Sequence, residues 1–266
     1  MYTFSNEHLN YIKNKKKKKY LILFFQLFII ITFIISWQYL SNKGIINSFL
    51  FSSPSNVLKC ITRLFKSHDL FKHIIITLYE TLLSFLLANI TGLLFGSILW
   101  INKTFFKICE PYLTIINSLP KIALGPLIII WVGAGTNSII IMALMINTII
   151  SIINIYNAFN STDKDFIKLM NSLKATKYQI YIKLIVPSNI PNIINNFKIN
   201  ISMSLIGVIM GELLVSKKGL GYLIMYGSQV FNIDLVITSV FILGIISYIM
   251  YYIINCIEKK LTNKKS

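Results

Sequence analysis

Acidic side chains are scarce in this chain. Nine Asp and Glu stand against 26 Lys and Arg, for a formal net charge of +17, and Arg63 is the single arginine. Cysteine and histidine are equally thin. Cys60, Cys109 and Cys256 lie far apart, as do His8, His68 and His73. Such spacing frames neither a disulfide set nor a metal site. The phosphate-cradling G-x-x-x-x-G-K-[ST] is absent, and so are H-E-x-x-H and G-x-S-x-G. A membrane-embedded enzyme would need clustered His, Asp or Glu, so catalysis by this chain is excluded and no cofactor is expected of it.

What is abundant is apolar. Of the 266 residues 55% are hydrophobic, and the mean hydropathy is +0.68. The positive charge falls between long hydrophobic runs, not along an amphipathic surface, which argues against nucleic acid as a partner and for the lipid bilayer. A spanning helix needs about 20 mostly apolar residues. Six stretches qualify: Tyr20–Leu40, Ile74–Ile101, Pro111–Val132, Asn137–Ala158, Phe197–Val215 and Leu235–Ile257. The first is too long for the roughly 7–15 apolar residues of a signal peptide, and no small-x-small cleavage site follows it. It is read as a retained helix. The third is interrupted by Pro120, Gly125 and Pro126, and the fifth by Lys198, Asn200 and Glu212. Breaks of this kind are tolerated where a helix faces protein or a cavity.

Lysine placement sets the expected orientation. With the N-terminus inside, the cytoplasmic segments carry seventeen cations: Lys13, Lys15–Lys19, Lys103, Lys107, Lys164, Lys168, Lys174, Lys177, Lys183, Lys259, Lys260, Lys264 and Lys265. The outer segments carry seven: Lys43, Lys59, Arg63, Lys66, Lys72, Lys217 and Lys218. The resulting division is a cytoplasmic basic N-terminus (1–19), a first transmembrane helix (20–40) and an outer loop (41–73). A five-helix core (74–257) and a cytoplasmic basic C-terminus (258–266) follow. Within the outer loop, Ser53 and Pro54 open a short helix with an apolar stripe of Val57, Leu58, Ile61, Leu64 and Phe65.

Small residues recur every four positions along the second span at Ser84, Ala88, Gly92 and Gly96, and the fifth repeats the device with Gly207 and Gly211. That spacing lets helix backbones approach closely in lipid, against a neighbouring span of this subunit or of a second copy. Four charged residues fall within spans, where each costs roughly 2.5–3.5 kcal/mol at a helix centre. Lys198 is expected to snorkel to the inner interface, and Glu80 lies about a turn from the outer boundary. Lys121 and Glu212 either line a pathway, pair with each other or are simply satisfied where they are buried.

The polar interruption between Asn157 and Pro191 is the informative segment. Apolar residues at Phe166, Ile167, Leu169, Met170 and Leu173, then Ile180, Ile182, Leu184 and Ile185, give one or two short amphipathic helices outside the bilayer. A helix-bearing loop of this length is expected to dock a soluble partner and pass force into the spans.

Between about Phe49 and Ile257 stand Ser52-Ser-Pro-Ser-Asn-Val57, Thr77-Leu78, Glu110-Pro111, Leu119-Pro120, Leu124 to Gly135, Gly211-Glu-Leu213 and Lys218-Gly-Leu-Gly-Tyr-Leu-Ile224. Their order and spacing together are specific. Over this range the chain resembles the membrane subunit of ATP-binding-cassette (ABC) importers of the nitrate/sulfonate/taurine type. The resemblance implies an all-α membrane protein of the type I importer permease kind, with six transmembrane helices and a cytoplasmic coupling helix in the loop 159–190. The family's loop pattern, E-A-A, three residues, glycine, then I-x-L-P, falls on Lys168-Leu169-Met170, Lys174 and Ile185-Val186-Pro187. Ser172, Leu173, Ala175 and Thr176 are retained, and the glutamate and glycine are not. Lysine in place of glutamate implies a more acidic groove on the partner or a coupling contact made mainly by apolar residues, and the second is favoured because rim charges set encounter rate more than affinity.

By the same resemblance, the partners are a cytoplasmic ATPase that binds the ATP, an extracytoplasmic solute-binding protein and a second permease copy. Lys121 and Glu212 would then lie near the translocation path. Cargoes of the family are nitrate, bicarbonate, sulfonates, taurine and thiamine-precursor pyrimidines, and Lys121, Lys217 and Lys218 point toward an anion. The competing reading is an ion-coupled secondary transporter or channel. It calls for several intramembrane carboxylates or an internal repeat, and the chain offers Glu212, Glu80 and no repeat.

Overall fold

The computed structural model describes residues 6–262, and every described element is helical. The basic ends extend past those limits, so residues 1–5 and 263–266, including Lys264 and Lys265 of the charge argument, lie outside the described residues. The chain divides into two compact units, one ending at Arg63 and the other starting at Leu64.

In the first unit, α1 runs over Asn6–Asn42, about 55 Å at 1.5 Å per residue. It begins well before Tyr20 because the lysine run is itself a good helix former, with no proline or glycine to stop it before Gly44. Its apolar side chains from Tyr20 to Ile35 point outward, as they can only in contact with lipid. Asn47 caps the single turn α2 (Ser48–Phe51), accepting from the Phe49 amide at 2.9 Å. α3 (Pro54–Lys66) opens with proline in its first turn, and its Asn56 amide donates to Ser53 Oγ at 3.3 Å. Gln38 Oε1 of α1 accepts from the Ser55 amide at 3.0 Å, which ties the start of α3 to α1.

The second unit is built on α4 (Asp69–Ile101), α7 (Thr136–Asn160) and α11 (Ile190–Val215), with α7 between the other two. Small residues set how close they come. A Cβ on Gly92 would collide with the Ser151 side chain, and one on Gly96 with Ile155. Gly207 lies against the Ala143 backbone and Gly211 against Ile139, while Ala88 is fully buried. Both glycine rows therefore pack on α7 within this chain.

A seam of polar side chains runs through the same interfaces. Asn200 Nδ2 donates to Asn89 Oδ1 at 2.5 Å and to Ser151 Oγ at 3.0 Å. Asn196 donates to the same Ser151 hydroxyl at 3.0 Å. Asn147 Nδ2 reaches Ser204 Oγ at 2.7 Å and the Asn200 carbonyl at 3.0 Å. In lipid, where water offers no competing partner, each such bond contributes on average about 0.6 kcal/mol.

The remaining elements decorate this core. α5 (Lys103–Ser118) and α6 (Gly125–Val132) are joined by a 3-10 turn at Lys121–Leu124 and bent by 83°. The third expected span is thus broken where Pro120, Gly125 and Pro126 interrupt it. With that pair counted as one, up to six segments are long and apolar enough to cross a membrane. α8 (Lys164–Ser172), α9 (Lys177–Ile180), a π-helical turn at Tyr181–Ile185 and α10 (Val186–Ser188) follow α7. After α11 come α12 (Leu220–Gln229) and α13 (Ile233–Thr262). Lys198 does not simply snorkel: it pairs with Glu258 of α13 and lies 5.9 Å from the Tyr251 ring.

Candidate coupling and translocation site

The segment between α7 and α11 is held by local signals. Asp163 caps α8 by accepting from the Asp165 amide at 2.9 Å, and Thr176 and Gln179 form a reciprocal capping box on α9. Between them α8 ends in a Schellman turn: the Ala175 amide donates to the Met170 carbonyl at 3.0 Å, and the Lys174 amide to that of Asn171 at 2.9 Å. The residue at the left-handed position of this turn is Lys174, with φ of 54°. Where the family pattern has glycine, this chain turns on a lysine, at a backbone cost of roughly 1–2 kcal/mol.

α8 is two-faced. Ile167 and Met170 turn inward, with Ala175 beside them, onto a buried cluster of Ile155, Phe159, Ile180 and Ile185. Phe166, Leu169 and Leu173 turn outward and are 56%, 56% and 70% exposed. Lys168 is exposed on the other side of the helix, and its charge is answered by Asp165 at 2.9 Å. Ser172 donates to the Lys168 carbonyl at 3.1 Å, closing the last turn. The eight residues of the expected docking element thus separate into an anchoring set, Met170 and Ala175, and an outward set led by Leu169 and Leu173. Lys174, Ser172 and Thr176 shape the turn between helices.

Lys121 and Glu212 do not pair. Lys121 sits at the α5–α6 bend, partly exposed, and its Nζ donates to Asn117 Oδ1 at 3.0 Å. Glu212 is 1% exposed near the opposite end of α11 from Lys198. Its Oε1 accepts from the Thr77 hydroxyl and its Oε2 from the Gly221 amide, both at 2.6 Å. Thr77 Oγ1 in turn accepts from the Leu220 amide at 2.9 Å, and His73 Nδ1 from the Gly219 amide at 2.9 Å. Gly219 has φ of 109° and any Cβ there would strike the Glu212 carboxylate. The Lys218-Gly-Leu-Gly-Tyr222 sequence is therefore a glycine turn that leaves room for the buried carboxylate, lets the Gly221 amide reach it and gives the Leu220 and Gly219 amides to Thr77 and His73. Glu80, also 1% exposed, meets Glu212 and Thr136.

Sequence reasoning missed this latch and the asparagine seam. A signal for both was present: polar residues inside apolar spans must find partners, and Thr77, Asn89, Asn147 and Asn200 are such residues. Their partners lie 49 to 143 positions away and are not written locally.

Residues 88–264 match the family described as the binding-protein-dependent transport system inner membrane component. The putative aliphatic sulfonates transport permease protein SsuC of Bacillus subtilis is 25% identical over 225 residues, which cover 85% of this chain and 82% of that protein. The formylaminopyrimidine transport permease protein ThiX of Halalkalibacterium halodurans is 26% identical over 242 residues, 91% and 96% of the two chains. Among solved structures, an inward-facing MetNI methionine ABC transporter aligns with a TM-score of 0.66 at 20% identity, over 73% of this chain and 97% of that one. That likeness establishes the fold. The chain belongs to the binding-protein-dependent inner membrane component family and is a multi-pass permease subunit of an ABC importer, with the type I permease fold.

Proposed function

We propose that α8 and α9 form the coupling element on which a separate cytoplasmic ATPase docks, and that ATP binding and hydrolysis there drive transport here. The observation that carries this reading is the outward row of Phe166, Leu169 and Leu173 on a helix whose other face is anchored through Ile167 and Met170. Apolar side chains left exposed outside a span need a protein partner, and a helix so anchored moves with the spans it rests on. The excess of lysine on this side supports a cytoplasmic location for the segment and for both termini, in a bacterial cell membrane.

The working unit is two copies of this chain, rocking as rigid bodies between inward-open and outward-open states. A solute-binding protein delivers cargo at the outer face. Lys121, at the bend of a broken span, and Glu212 are placed near the translocation path, Glu212 by pinning the α11–α12 turn. The relatives' names, for aliphatic sulfonates, taurine and formylaminopyrimidine, support a small solute of that kind, and the family resemblance adds nitrate and thiamine-precursor pyrimidines.

Co-expression of the chain with its ATPase tests the docking. Affinity capture of the permease brings down the ATPase, and Leu169→Asp with Leu173→Asp abolishes the capture while the permease remains folded. Undiminished capture by that double variant would contradict the reading, and so would transport in vesicles driven by a proton gradient without any ATPase.

A further inference from the structure

Beneath α8, on the face away from Phe166, Leu169 and Leu173, lies a cleft of about 710 Å³. Lys103, Lys164, Lys168 and Lys177 line it, and no acidic side chain does. Lys168 is paired with Asp165, whereas Lys103, Lys164 and Lys177 have no acidic partner among the described residues. These three are the first residues of α5, α8 and α9. At the start of the 16-residue α5 and the nine-residue α8 a cation is disfavoured by the helix dipole, and three converging cations repel one another. An anion held between them removes both penalties. Among the polar side chains of the cleft, Trp100 and the exposed Ile101 at the end of α4 supply apolar surface, and Phe159 near the end of α7 is fully buried at its base. At 33 and 25 residues, these helices are about 50 and 37 Å long, so they outreach the roughly 30 Å hydrocarbon core. The cleft therefore opens at the level of lipid headgroups.

We propose that this cleft binds the phosphate of an anionic phospholipid, its headgroup between Lys103, Lys164 and Lys177 and its glycerol and upper acyl carbons against Trp100 and Ile101. Charge complementarity and this apolar surface together select a lipid over a free anion. The proposal is independent of the ATPase contact, which uses the other face of α8.

The test is native mass spectrometry of the full-length purified chain, titrated with phosphatidylglycerol or phosphatidylcholine. Each lysine near an anionic lipid contributes about a fivefold factor, so K103Q/K164Q/K177Q is expected to weaken phosphatidylglycerol retention about a hundredfold. The equally discharged K17Q/K18Q/K19Q and the docking variant Leu169→Asp are expected to keep it. Restored retention by K103R/K164R/K177R separates lost charge from lost folding. The proposal is overturned if phosphatidylcholine is held as well as phosphatidylglycerol, or if the two triple-glutamine variants lose lipid equally. Displacement of the lipid by millimolar inorganic phosphate would assign the cleft to a free anion instead.

Discussion

Gly92 and Leu173 belong to two regions of the second unit that treat apolar surface in opposite ways. Around Gly92, three long helices close up until no room for a methyl group remains, and the polar groups trapped there bond to one another. Around Leu173, a nine-residue helix with no fully buried side chain of its own leaves Phe166 and Leu169, and Leu173 just past its end, in the open. Tight packing makes the first region a rigid lever, since a close-packed interface has few alternative arrangements. The second is finished only by something not covalently attached to it. An importer subunit needs both: a body that moves as one piece and a handle by which another protein moves it.

Substitutions should therefore fall into two classes, loss of the body or loss of the handle. The largest expected effect is Gly92→Leu. Its side chain would displace Ser151, which also accepts from Asn196 and Asn200, so overpacking at the upper end of about 3 kcal/mol adds to broken hydrogen bonds. Fluorescence-detected size exclusion should show loss of the monodisperse peak. Next is Leu169→Asp with Leu173→Asp, expected to shift thermal stability by under about 0.5 kcal/mol while weakening ATPase capture by more than tenfold. A matching loss of stability would erase the distinction between the regions.

Asn200→Leu removes two side-chain donations and leaves Asn89 and Ser151 short of a donor, at about 1–2 kcal/mol. A lowered melting temperature in detergent with ATPase capture intact is the expected outcome. The smallest effects are at Lys174. Valine there forces a branched residue to positive φ and should cost about 1 kcal/mol, whereas glycine removes the strain. Hydrogen exchange at the Ala175 amide, which closes the Schellman turn, should quicken in Lys174→Val and slow in Lys174→Gly.

The two regions also differed in how far the sequence revealed them. The amphipathic spacing through Phe166, Leu169 and Leu173 is a local signal, and it placed a helix in the loop before any coordinates. Small residues every four positions announced close packing, though not that α7 would receive both rows. What stayed hidden was the pairing of distant polar groups. Nothing near Glu212 points to Thr77, and nothing near Lys198 points to Glu258. The fit is made only when the helices meet. Lys174 misled in a different sense: the loss of glycine removed the familiar mark of the turn, while the Met170 and Asn171 carbonyls held the turn in place.

The most direct test of the docking claim is the side of the membrane on which Leu173 lies. With Cys60, Cys109 and Cys256 replaced by serine, Leu173→Cys can be treated with a membrane-impermeant maleimide in intact cells and in inverted vesicles. Labelling only in inverted vesicles, blocked when the ATPase is bound, is the expected result. Labelling from the outside of intact cells would contradict it.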